Sequence, residues 1–242
     1  TKEKSEKLFQ TGINRLSIGI QSFSDEDLRF MNRAHDSKQA LSAVKNTKQA
    51  GFKNISIDLI YGIERSTPGQ WEKNIDMALS LDVEHLSCYA LTIEPRTALA
   101  DMIRKKKVSA PDDEKTISDF ELLMKRTAEA GFEHYEISNF ARNKKYSRHN
   151  TSYWQGKKYL GVGPSAHSFD KDSRQWNISN NQSYIRLLAE NIIPFEKEEL
   201  SESNKFNEYI LTSLRTMWGI DITLVEKEFG DLRKKELIIQ IK

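Results

Sequence analysis

Four short strand-like runs alternate with amphipathic stretches of helical period, and this alternation decides the fold class. The runs cover residues 14–21, 54–61, 85–92 and 133–138. Between them, Ala40, Leu41, Val44 and Lys48 share one side of a helix that opens at Asp36 or Ser37 and stops at Gly51. Trp71, Ile75, Ala78 and Leu79 form a second apolar stripe after Thr67-Pro68. Ile117, Phe120, Leu123, Met124 and Thr127 form a third, in a helix starting at Asp112 or Asp113. Two shorter helices are expected over residues 2–9 and from Ser24, whose Asp25, Glu26 and Asp27 suit the positive helix end. Strict alternation of strand and helix predicts parallel strands joined by right-handed crossovers.

Four strands do not close a barrel. A dinucleotide-binding sheet needs a glycine-rich turn after its first strand, and no strand here has one; Gly161 and Gly163 lie outside any strand-to-helix turn. The pattern fits an α/β chain: the C-terminal part of a partial (β/α)6 barrel lacking its first strands. From about residue 141 the grammar changes. Residues 141–183 are rich in Asn, Ser, Gly, Lys and aromatics, which predicts long ordered loops. A helix follows over 203–217, then a shorter one through Phe229. The expected division is therefore 1–170, the partial barrel, and 171–242, the start of a small, mainly α C-terminal domain. Thr1 without a Met and the closing run Leu237 to Lys242 suggest a chain cut at both ends.

Charge bounds the partners. With 37 Lys+Arg against 35 Asp+Glu, the chain has no field that would gather nucleic acid, and a membrane would be met at most peripherally. The run Arg104 to Lys107 reads as solvated loop. A single cysteine, Cys88, excludes a disulfide framework and reads as a small core residue. There is neither a signal-peptide pattern nor an apolar run of about 18 residues, so a reducing, cytoplasmic setting is the expectation.

Chemistry enters with Asp58, an acid inside the run Ile55-Ser56-Ile57-Asp58-Leu59-Ile60-Tyr61-Gly62. A buried unpaired charge costs several kcal/mol, so a partner is required. The run Leu16 to Gln21 has the same layout: Leu16, Ile18 and Ile20 on one face, Ser17, Gly19 and Gln21 on the other. With Arg33 downstream, carboxylate, guanidinium and amide together suit a zwitterionic ligand. An internal Arg33–Asp58 ion pair with Gln21 beside it explains the same residues equally well.

The segments Asn14 to Phe23, Asn32-Arg33-Ala34-His35 and Asn54 to Gly62 closely resemble one branch of the radical S-adenosylmethionine superfamily. That branch contains oxygen-independent coproporphyrinogen III dehydrogenases and HemW-type heme chaperones. The resemblance implies that Gln21, Arg33 and Asp58 contact S-adenosylmethionine. It also implies a [4Fe–4S] cluster, but its three cysteines are absent from a chain with one.

A second constellation is Arg148-His149-Asn150-Thr151-Ser152-Tyr153-Trp154. Imidazole can ligate iron and the two aromatics offer flat apolar surface, although the same residues would also serve as a packed loop anchor. The His-Asn-x-x-Tyr-Trp pattern resembles the heme-binding signature of the chaperone branch, as do Glu136 to Ala141 and Gly161 to His167. The resemblance implies that His149 ligates heme iron and that heme passes to acceptor proteins such as respiratory-chain hemoproteins. The enzyme alternative is the dehydrogenase, which oxidatively decarboxylates two propionates in porphyrin biosynthesis. His35, His85, His134 and His167 are not assigned to a ligand: His35 reads as a cap or surface residue, and His85 and His134 as structural.

Overall fold

A computed structural model describes residues 1–241. The chain divides into two compact units, Thr1–Tyr146 and Ser147–Lys242.

The first unit runs α1 (Lys2–Gln10), β1 (Arg15–Gln21), α2 (Asp25–Phe30), α3 (Ser37–Gln49), β2 (Asn54–Tyr61), α4 (Gln70–Ser80), β3 (His85–Ala90), α5 (Ala98–Arg104), α6 (Asp113–Glu129), β4 (Glu133–Glu136) and β5 (Asn139–Ala141). Local chemistry sets the starts. The Ser24 side chain accepts from the Asp27 amide, and Asp36 and Gln39 form a reciprocal capping box at α3. β1, β2 and β3 are parallel neighbours, as the alternation predicts. Ile20, Ile55, Ile57, Leu59 and Leu86 are buried in one core with Val44, Trp71, Ile75 and Leu123. Each such side chain contributes about 1.5–3 kcal/mol by leaving water.

Two expectations need correction. The fourth run is not a simple parallel strand. The chain turns after Glu136, and β5 inserts antiparallel between β3 and β4, giving the order β1-β2-β3-β5-β4. The cause is local: two residues separate β4 from β5, too few for the helical crossover a parallel neighbour needs. Ile117 is 58% exposed instead of packed, because α6 meets the core through Phe120, Leu123 and Met124 further along. Arg104 to Lys107 are exposed as expected.

A buried polar chain ties three strands of this unit. His85 contacts the Ser56 hydroxyl through Nδ1 and the Tyr135 hydroxyl through Nε2, each at 2.7 Å. Two hydroxyls satisfy either tautomer of a neutral ring. Burial, helped by the Arg15 charge, pulls the His85 pKa down to about 3.

The second unit comprises α7 (Arg148–Trp154), β6 (His167–Phe169), β7 (Ser173–Asn177), α8 (Asn181–Ala189), β8 (Phe195–Glu199), α9 (Glu202–Ser213) and α10 (Ile222–Ile241), which breaks at Gly230. Its three-stranded antiparallel sheet, β6-β7-β8, replaces the loops expected over 141–183 in β6 and β7 and adds β8 beyond them. Short polar strands such as Ser173-Arg174-Gln175-Trp176-Asn177 carry little apolar alternation to announce them. Residue 170 falls inside the β6–β7 hairpin, so the compact units part earlier. Val225 is fully buried, and Phe206 and Phe229 pack edge to face at 5.3 Å.

The unfolded imidazole of His85 binds a proton near pH 6.5 and the folded one only near about 3. Between those values the unfolded state holds more protons, so stability falls as pH falls. Urea denaturation at pH 7 and pH 5 should show about 2 kcal/mol of this loss in the wild type. His85→Gln should be less stable at pH 7 yet lack that share of the pH dependence; an equal slope in both proteins would refute the assignment.

Candidate functional site

Pairing of β1 with β2 builds the first site. Gly19 is in register with Asp58, Asp58 with Ser87, Ser87 with Asn139, and Asn139 with Glu136. A polar row therefore crosses the five-stranded sheet. Asp58 is half-buried within it and accepts from the Ser17 hydroxyl at 2.9 Å. Asn139 donates to Glu136 at the far, buried end.

Gln21 departs from strand geometry. Its φ is +70°, and the β1–β2 register slips between Gly19 and Gln21. This bulge re-aims the side chain. A Cβ on Gly19 would lie 2.7 Å from Gln21 Nε2, so the glycine makes room for the amide to fold back toward the Asp58 register.

Arg33 lies exposed in the turn after α2. Its backbone N–H donates to Leu28 O at 2.9 Å, while His35 Nε2 meets Ile20 O at 2.9 Å. That bond requires the proton on Nε2, and it pins the turn to the C-terminal end of β1. Active faces of βα folds lie at such ends. Among the described residues no ion pair joins Arg33 to Asp58; the internal salt bridge is replaced by the Ser17 hydroxyl.

Two contributors went unread in the sequence. Tyr89 is 43% exposed on β3, and its phenol is pushed up by burial first and by the Asp58 charge second. Arg15 donates to Asn54 Oδ1 and Lys145 O, each at 3.0 Å; burial lowers its pKa, while the charges of Tyr135 and Asp58 raise it. Splitting the third strand into faces, as for the first two, would have flagged Tyr89, two residues beyond Ser87.

Cys88 is buried, and burial pushes its thiol far up, so it behaves as a core residue. Three thiolates are needed for a [4Fe–4S] cluster. With one cysteine, and no His/Cys/Asp/Glu group among the described residues suited to a metal, this chain does not fit the cluster. The residue types do fit parts of S-adenosylmethionine: the Asp58 carboxylate can accept from hydroxyls or an ammonium, the Gln21 amide can donate or accept, and the exposed Arg33 guanidinium can pair with a carboxylate.

The second site lies wholly in the second unit. Ser147 caps α7, its hydroxyl accepting from the Asn150 amide. His149 is exposed in the first turn, one helical turn before Tyr153, and the rings meet edge to face at 4.9 Å. Tyr153 meets Tyr159 at 4.7 Å, and Tyr159 meets Phe169 at 5.8 Å. The Arg215 guanidinium lies 5.5 Å over Trp154. An accessible imidazole thus heads a continuous aromatic ladder. His134 stacks on Phe140 at 4.3 Å within the first unit, and His167 pairs with Trp176 across β6 and β7; neither belongs to a ligand-binding group.

Residues 1–78 match the Radical SAM superfamily. The chain is 34% identical to the heme chaperone HemW of Bacillus subtilis over 229 residues, 94% of this chain and 60% of the relative. HemW of Mycobacterium tuberculosis is 34% identical over 212 residues, 87% of this chain and 54% of that protein. The bovine (Bos taurus) mitochondrial radical S-adenosyl methionine domain-containing protein 1 is 38% identical over 156 residues, 64% of this chain and 35% of that one. The chain spans little more than half the length of the heme chaperones it matches. Among solved structures, coproporphyrinogen III oxidase (HemN) from Escherichia coli, a radical SAM enzyme, superposes with a TM-score of 0.78 at 20% identity, covering 98% of this chain and 57% of that one. The two share the fold, which supports the α/β assignment and a partial barrel.

Because Ser17 is exposed and can return to water, Asp58→Ala should change unfolding free energy by less than about 1 kcal/mol. A loss of several kcal/mol in chemical denaturation would make Asp58 a structural residue instead.

Proposed function

We propose that this protein binds heme and delivers it to acceptor hemoproteins, on a radical S-adenosylmethionine scaffold and in the cytoplasm. The observation that carries the reading is the exposed His149 imidazole at the head of the Tyr153–Tyr159–Phe169 ladder. Imidazole is an iron ligand, and a row of rings is a surface on which a porphyrin can lie. The 34% identity to proteins named heme chaperones supports it. The described residues contain no helix long and apolar enough to cross a membrane. Respiratory-chain hemoproteins are the acceptors we propose.

In the first unit Gln21, Arg33 and Asp58 would hold S-adenosylmethionine. When bound, that cofactor supplies a sulfonium centre, a ribose and a zwitterionic amino-acid end. Asp58 accepts hydrogen bonds from hydroxyl or ammonium groups, and the exposed Arg33 offers a forked partner for a carboxylate. Ser17 holds the Asp58 carboxylate in one orientation.

Absorption spectroscopy of the purified protein during heme titration tests the reading. His149→Ala should move the Soret band and weaken binding tenfold or more; an unchanged band and affinity would sink the ligand assignment. Separately, equilibrium dialysis should show Asp58→Ala weakening S-adenosylmethionine binding about tenfold or more, the loss of charge-assisted hydrogen bonds worth about 1.5–3 kcal/mol. Equal retention by both proteins would remove Asp58 from the site.

A further inference from the structure

We propose that the loop from Lys157 to Gly163 is a second wall of the heme site. Leu160 and Val162 would touch the porphyrin ring, and Lys157 and Lys158 would pair with its propionates. The inference rests on the heme reading above and assigns contacts beyond the His149 motif.

Leu160 is 80% exposed and Val162 84%. Single exposed apolar side chains are ordinary, but these two stand on a backbone strapped down on both sides. Tyr159 and Phe169 exchange two backbone hydrogen bonds, each 2.9 Å. The Gly161 amide donates to Ser168 Oγ at 3.0 Å. Asn177 Nδ2 donates to Gly163 O at 2.9 Å, and the Asn177 backbone donates to Ala166 O at 2.9 Å. A Cβ on Gly161 would fall 2.2 Å from the His167 carbonyl oxygen, so this backbone lies flush against β6 and only glycine fits.

A loop held in this way keeps its two apolar side chains displayed, and little ordering remains to be done when a ligand arrives. The loop follows directly on the aromatic ladder: Tyr159 opens it and lies 4.7 Å from Tyr153, and Tyr153 lies 4.9 Å from His149. Lys157 and Lys158, both exposed, immediately precede Tyr159. A flat apolar disc with a metal at its centre and two carboxylates on one edge matches the ligating, apolar and cationic groups together. A fatty acid or an apolar peptide would leave the imidazole without a role.

The test titrates hemin and, separately, metal-free protoporphyrin IX into four purified proteins: wild type, Leu160→Ser/Val162→Ser, Lys157→Glu/Lys158→Glu and His149→Ala. Both loop variants should weaken hemin and protoporphyrin about tenfold while leaving the hemin Soret position unchanged. The charge reversal should lose its effect in high salt. His149→Ala should shift the Soret band and spare protoporphyrin. Thermal midpoints are measured alongside. If the serine pair lowers its midpoint, the near-isosteric Val162→Thr takes its place. Wild-type affinity for both porphyrins in the loop variants, with a shifted Soret band in His149→Ala, would overturn the loop inference alone. An unchanged Soret band in His149→Ala would overturn the heme reading itself.

Discussion

The two-faced pairing of β1 with β2 is the constraint on which the first unit depends. Ile20, Ile55, Ile57 and Leu59 must be buried, and side chains alternate across a strand. Once that face is fixed, Ser17 and Asp58 have no choice but the other. A one-residue slip would send Asp58 into the apolar layer and bring Ile57 out, an exchange penalised twice, by lost burial and by a desolvated charge. The core therefore positions the polar row, although no apolar residue belongs to it.

The antiparallel β4–β5 hairpin extends the same logic. By inserting β5 beside β3, it brings Asn139 and Glu136 into register with Ser87 and Asp58. The buried Ser56–His85–Tyr135 chain crosses the same strands on polar groups. Such a chain stabilises only when every member is satisfied. Here both ring nitrogens have hydroxyl partners, so the network also selects one arrangement of β2, β3 and β4.

How far the sequence could be read depended on which force set each feature. Parallel strands, capped helices and the Asp58 face follow from periodicity and end chemistry, and these agree with the structure. The β5 insertion is hidden because Glu133 to Ser138 reads as one strand with polar residues; nothing in Ile137-Ser138 announces a reversal. Ile117 obeys the helical period yet lies outside the packed length of α6, and period carries no information about length of contact. The β6-β7-β8 sheet carries no such signal because its strands are short and polar. Gln21 was legible as a polar strand end, but its positive φ and its fold over Gly19 arise from a register slip that only the paired strand reveals.

The second unit uses opposite treatments for two exposed surfaces. β8 is an open edge, Phe195-Glu196-Lys197-Glu198-Glu199, exposed along its length; charge there repels a further strand. The loop at Leu160 and Val162 receives no such protection, although it is braced by Asn177, Ser168 and the Tyr159–Phe169 bridge. Bracing fixes the backbone without hiding the side chains, so the burial that would normally accompany two apolar residues is left for a ligand to supply. On the proposed reading, Asp58 and its row form a cofactor face that proteins of different activities on this scaffold would share. On the same reading, the choice of cargo lies instead in the groups around His149, where an exposed imidazole, aromatic surface and displayed apolar residues occur within one unit.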